Sequence, residues 1–266
     1  MRKKKILVIV LTSIIFVSVM MLGITSVYRI DEITLNSLVV SEIAKTESKE
    51  LEERLLKAYD KDSYFSCDSK KAETLVKEYP YFRLTAFKKA GPNRLIIEIK
   101  EDAEMYAVPV LEQQNLYYIL GADGVVLGIR ETYINRFDGK DNLLIQGLNV
   151  NGEEGKTLTG DWVVHSLFTI CNQASKLLNG IRRNITLIEV IRKASAEEET
   201  ILKLTTREGV KIYVRNPASM PEEKAQKAIE KYLALSDFER LTGRIAVSDK
   251  GGEVLITYSD YDEFVS

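Results

Sequence analysis

The sequence predicts an α+β protein: an N-terminal transmembrane helix, a small β-α-α-β-β domain, and a larger mixed β-domain carrying two amphipathic helices. Three observations predict it. A 19-residue apolar run opens the chain. Helical spacing then gives way to alternation and turn chemistry over residues 29–103. From Glu104 onward, short β-branched runs are broken by glycine turns, with only two long segments of helical period.

Arg2, Lys3, Lys4 and Lys5 precede the apolar run Ile6 to Ile24, thirteen of whose residues are Leu, Ile, Val or Phe. As a helix this run would rise about 28 Å, close to a bilayer core of about 30 Å. A cleaved signal sequence is the competing reading, but its apolar core is shorter and ends at a small-x-small site, whereas Gly23 and Thr25 offer a poor one. The four cations before the run, against Arg29 behind it, place the N-terminus in the cytoplasm. The expected layout is a cytoplasmic tail at 1–5, a transmembrane helix at 6–28, the small domain at 29–103, the β-domain at 104–258 and a C-terminal tail at 259–266.

Ile30 to Asn36 reads as a strand, and Ser41 as the N-cap of a helix that continues to Tyr59 through Leu51, Leu55 and Ala58. Asp68 caps a second helix reaching Glu78, and Pro80 denies Tyr79 the α region. Phe82 to Lys89 and Arg94 to Lys100 are strands joined by Gly91, Pro92 and Asn93. These elements make a three-stranded sheet with two helices on one face.

In the β-domain, Leu116 to Leu120 and Val125 to Leu127 form a hairpin across Gly121 and Gly124, and Leu143 to Ile145 is a further strand. Trp162 to Asn179 is an amphipathic helix with Val163, Leu167, Ile170, Cys171, Ala174, Leu177 and Leu178 on its apolar face. Strands follow at Ile188 to Arg192, Ile201 to Thr205 and Val210 to Val214. In the last of these, Val210, Ile212 and Val214 face inward and Lys211 and Tyr213 outward. Pro221 starts the last helix, with Ala225, Ile229, Tyr232 and Leu233 on one stripe. Arg244 to Ser248 and Glu253 to Tyr258 close the chain as a hairpin over Gly251 and Gly252.

Residues 29–266 hold 33 Lys+Arg against 39 Asp+Glu, a net charge of about −6 that disfavours nucleic acid as a ligand. Cys67 and Cys171 fall in different domains and are expected to be two free thiols. His165, the only histidine, lies on the polar side of its helix without companions for a triad or a metal. Gly152 to Thr157 imitates the end of a phosphate loop, but Val150 stands where that motif needs glycine. The Asn184-Ile-Thr186 sequon matters only where secreted asparagines are glycosylated. No catalytic, cofactor or metal site is expected, and no small-molecule substrate.

Two stretches carry a family resemblance: Tyr79 to Glu101, which reads YPYFRLTAFKKAGPNRLIIEIKE, and Tyr117 to Leu127, which reads YYILGADGVVL. They resemble the bacterial division proteins of the FtsQ/DivIB family, whose members run P-Y-V-x-x-A-x-V-x-R-x-x-P-N-x-L-x-I-x-V-x-E into Y-Y-L-I-D-x-x-G-x-V-L. Glu222 to Ala225 before Gly243 to Ser248 is similar to the family's closing E-K-x and G-x-I-D-V-R. Asn36 replaces the usual glycine at the end of the first strand, and residues 100–104 lack the usual E-R-x-P.

The resemblance implies that residues 29–103 are a POTRA domain. It further implies a non-enzymatic scaffold in the bacterial cell membrane at the division septum, single-pass, with its C-terminal domains extracytoplasmic. Such a protein binds small partners of the FtsB/DivIC and FtsL type and indirectly supports septal peptidoglycan synthases. The expected partner site is the terminal strand with its aromatic exit: Val254, Leu255, Ile256, Tyr258 and Tyr261. Two other classes stay open. One is a POTRA-bearing secretion or spore-assembly component; the other is a membrane-tethered extracytoplasmic enzyme of unrecognised type.

Overall fold

A computed structural model describes residues 2–39, 42–60, 62–91, 93–113, 115–134, 141–192 and 199–260. The chain forms two compact units, Met1–Asp102 and Ala103–Ser266.

The first unit opens with helix α1 (Arg2–Val27). No helix among the described residues is long and apolar enough to cross a membrane. The transmembrane helix expected at 6–28 is corrected on that finding, which also weighs against the single-pass topology built on it.

After α1 come β1 (Glu32–Leu38), α2 (Glu42–Tyr59), α3 (Lys70–Val76), β2 (Phe82–Ala90) and β3 (Arg94–Glu101). The sheet order is β1-β3-β2, with β1 parallel to β3 and β2 antiparallel to it. As the central strand, β3 buries alternate residues Leu95, Ile97 and Ile99 under Leu51, Leu55 and Tyr59 of α2 and Ala72 and Val76 of α3. Each aliphatic side chain so buried contributes about 1.5–3 kcal/mol. Tyr59 ties the two helices together: its hydroxyl donates to the Asp68 carbonyl at 2.6 Å and accepts from the Ala72 N–H at 3.0 Å.

Helix boundaries shift from expectation by a turn or less. Asp68 does not head the helix itself; its carboxylate accepts from the Lys70 N–H at 3.1 Å, one residue past the N-cap Ser69. That helix ends at Val76, before the proline is reached. Ser41, the expected N-cap of α2, lies outside the described residues.

The second unit contains β4 (Tyr106–Pro109), β5 (Tyr117–Leu120), β6 (Val126–Arg130), β7 (Leu143–Gln146), α4 (Val163–Leu177), α5 (Ile181–Asn184), β8 (Ile185–Arg192), β9 (Thr200–Thr206), β10 (Lys211–Arg215), α6 (Pro221–Leu233), α7 (Asp237–Thr242), β11 (Arg244–Lys250) and β12 (Glu253–Ser259). They build one nine-stranded mixed sheet in the order β12-β11-β10-β9-β8-β7-β4-β5-β6. Three pairs are parallel: β7/β8 and β10/β11, bridged by helical crossovers, α4 with α5 and α6 with α7, and β4/β7, connected through β5 and β6. Parallel neighbours need such long connections, because a tight turn can join only antiparallel strands.

Both long crossover helices contribute to one core. Val163, Leu167, Ile170, Cys171 and Ala174 of α4 and Ala225, Ala228, Ile229 and Tyr232 of α6 join Leu202, Leu204, Ile212, Val214, Ile245 and Val247 of the sheet. Three expectations change here. Besides the two amphipathic helices, the unit has two short ones, α5 and α7; the latter starts at a capping box between Ser236 and Glu239. Leu233 is exposed, although Tyr232 before it and Leu235 after it are buried in the core. Tyr213 is buried rather than solvent-facing, packed with Ile201 and Ala246 on the opposite face of the sheet.

Cys67 and Cys171 are both free and buried, one in each unit. Burial raises the Cys171 thiol to about 12. Since the thiolate is the reactive species, native protein is expected to react slowly with a thiol reagent and denatured protein to release two thiols per chain. One disulfide per chain in denaturant would refute this.

Candidate functional site

The terminal strand occupies an edge of the nine-stranded sheet, paired with β11 and with no second neighbour among the described residues. Its position follows from the two-residue loop Gly251–Gly252 between the paired residues Lys250 and Glu253. Both glycines have positive φ, 62° and 83°, as the primed hairpin turns require.

The same turn decides which backbone groups are free. In a two-residue hairpin the closing pair exchanges both hydrogen bonds, and bonded pairs then alternate along the ladder. Glu253, Leu255 and Thr257 therefore bond to β11, while the N–H and C=O groups of Val254, Ile256 and Tyr258 point away from it. The Lys227 ammonium on α6 donates to the Val254 carbonyl at 3.4 Å, which matches this assignment.

The side chains divide by face. Val254, Ile256 and Tyr258 lie opposite Asp249, Val247 and Ile245 and share the face covered by α6. Val254 is buried, Ile256 is 38% exposed, and Tyr258 is half-buried. The Tyr258 ring packs on Gly243, where an added Cβ would sit 2.8 Å away, and the Lys231 ammonium lies 5.5 Å from the ring centroid. Its hydroxyl donates to Asp260 at 2.7 Å, and burial, then that carboxylate, pushes it up to about 12. Leu255, on the other face, is 45% exposed. Tyr261 lies outside the described residues. Of the five expected site residues, four thus line one open edge.

Sequence reasoning missed the lysines beside this edge and the network behind it. Lys224 is fully buried, and its ammonium donates to the carbonyls of Arg215 at 2.9 Å and Asn216 at 2.7 Å and to the Asp249 carboxylate. Ser219 donates to the other oxygen of Asp249 at 3.0 Å. This network fixes the start of α6 to β11, the strand on which β12 lies. The one available signal was a lysine at every third or fourth position of α6, at Lys224, Lys227 and Lys231, which reads by itself as a solvated face.

His165 is exposed on α4. Asp161, which lines the same groove, is committed to Arg192 and to the N–H groups of Asn149 and Val163. A cavity of 230 Å³ is lined in part by Asp141, Arg182 and Arg207, but Arg207 pairs with Asp141 at 3.2 Å and donates to the Arg182 carbonyl. Among the described residues no three His, Cys, Asp or Glu side chains are grouped to hold a metal ion. No protein-family model and no curated protein matches the chain.

Proposed function

We propose that this protein is a non-enzymatic scaffold of the FtsQ/DivIB type that acts in bacterial division. It captures a partner of the FtsB/DivIC type along β12, with an FtsL-type protein in the same assembly, and thereby supports septal peptidoglycan synthesis. One observation carries the reading: β12 is an edge strand, paired with β11 on one side and with no neighbouring strand on the other among the described residues. Its backbone groups at Val254, Ile256 and Tyr258 point outward, the Val254 carbonyl already accepting from Lys227, and strand addition supplies donors and acceptors in register. The β-α-α-β-β order of the first unit, with β1 parallel to β3, also suits the POTRA domain that such a scaffold carries.

Titration of the full chain with the outer segment of an FtsB/DivIC-type protein tests this. Ile256→Pro removes an outward N–H, while the β11 ladder keeps its bonds, because proline is tolerated where a strand's N–H is not used. Tyr258→Ala truncates an aromatic of the kind that costs about 2 kcal/mol or more at an interface hot spot. Each variant is expected to bind roughly tenfold more weakly or worse, at about 1.4 kcal/mol per decade. Melting temperatures must stay near wild type. Normal binding by both folded variants would place the site elsewhere.

A further inference from the structure

We infer that the strand captured by β12 carries carboxylate side chains at its centre, on the face turned toward α6. This rests on the strand-capture reading above and adds the partner's chemistry. A strand added to the open edge places the residues opposite Val254, Ile256 and Tyr258 on the same face as those three, about 5 Å away. That face is flanked by α6, whose Lys227 and Lys231 lean over it. The Lys227 ammonium reaches the Val254 carbonyl at 3.4 Å, and the Lys231 ammonium stands over the Tyr258 ring.

The neighbouring acids leave this centre basic. Glu223 pairs with Lys227 at 2.9 Å, but across one turn of helix with both groups well exposed, so it yields readily to a better-placed partner. Glu239 interacts with Lys231, yet its carboxyl is held first by the Ser236 hydroxyl and N–H at the start of α7. Glu253 and Asp260 sit at and just beyond the two ends of β12. On the α6 face the centre of the edge is thus basic, with Asp260 just beyond its end and Glu253 turned to the other face, and a complementary strand carries carboxylates opposite that centre. On the other face the exposed Leu255 lies between the exposed polar residues Glu253 and Thr257.

A second copy of β12 fits poorly, since it would set Val254, Ile256 or Tyr258 under the two ammonium groups. Lysines beside an exposed edge are also a common device against self-pairing.

The test compares the full wild-type chain with Lys227→Glu/Lys231→Glu, Lys227→Met/Lys231→Met and Ile256→Pro. Each is titrated with the outer segment of an FtsB/DivIC-type protein at low and high salt. The Glu pair is expected to bind roughly tenfold more weakly or worse, the Met pair less so. Wild-type binding should weaken with salt more steeply than that of the Met pair, because screening acts on the charges the Met pair lacks. If wild type and Ile256→Pro bind alike, or wild type does not bind, strand capture fails and this inference with it. If Ile256→Pro abolishes binding while the Glu pair binds as wild type at both salts, strand capture stands and the acidic partner is overturned.

Discussion

Asp249→Ala is expected to lower stability by about 3–5 kcal/mol, because it leaves the Lys224 ammonium buried without its counter-charge. For a unit of this size that corresponds to a fall in melting temperature of roughly 10 °C. Lys224→Met keeps most of the volume and removes the buried charge. It costs less, about 1–3 kcal/mol, through the carbonyls of Arg215 and Asn216 left without their donor. Urea unfolding at neutral pH measures both, and wild-type midpoints in both variants would refute the role assigned to this network.

The pH dependence of that network has a definite sign. The Lys224 hydrogen bond, then that of Ser219, holds the Asp249 carboxyl below its ordinary value of 3.8. Its stabilising contribution is therefore complete above the unfolded value and is lost as pH falls through the lowered folded one. Burial lowers the Lys224 ammonium from 10.5 in the folded protein. Across the window between the lowered and the ordinary value the unfolded chain binds more protons, so this group's contribution to stability rises with pH there. In Asp249→Asn the acid-side loss from the carboxyl should disappear.

Gly147→Ala is expected to cost about 3 kcal/mol or more by two routes that reinforce each other. Gly147 follows β7 with φ 81°, a conformation that costs an L side chain about 1–3 kcal/mol. Its added Cβ would also lie 2.3 Å from the Val190 carbonyl oxygen, a backbone atom of the paired strand β8 that cannot swing aside. Gly251→Ala separates the two effects. It has φ 62° with nothing within 4 Å of its Cβ, so about 1 kcal/mol of conformational cost is all it should show. Equal losses at both positions would refute the close approach at Gly147.

Much of the secondary structure was legible because its signals are local. Leu95, Ile97 and Ile99 alternate within a single strand, and Gly251 and Gly252 demand a tight turn between β11 and β12 whatever lies nearby. The apolar face of α4 could likewise be read from a 3.6-residue period. Membrane crossing was over-read from the apolarity of residues 6–24: the segment is helical, but no helix among the described residues has the length and apolarity to span.

The sequence by itself determined where most strands, helices and turns fall, though not the short α5, α7 and β4, and it marked Val254, Leu255, Ile256 and Tyr258 as one strand. Tertiary structure alone decided that β7/β8 and β10/β11 pair in parallel, that Tyr213 is buried on the second face, and that β12 stands at the edge with Lys227 and Lys231 over it. Lys224 shows why. A lysine on an amphipathic helix is ordinarily solvated, and only the arrival of β11, with Asp249 at the right height, makes its burial stable. Such outcomes depend on which distant segments meet, and the period of a single segment carries no record of its neighbours.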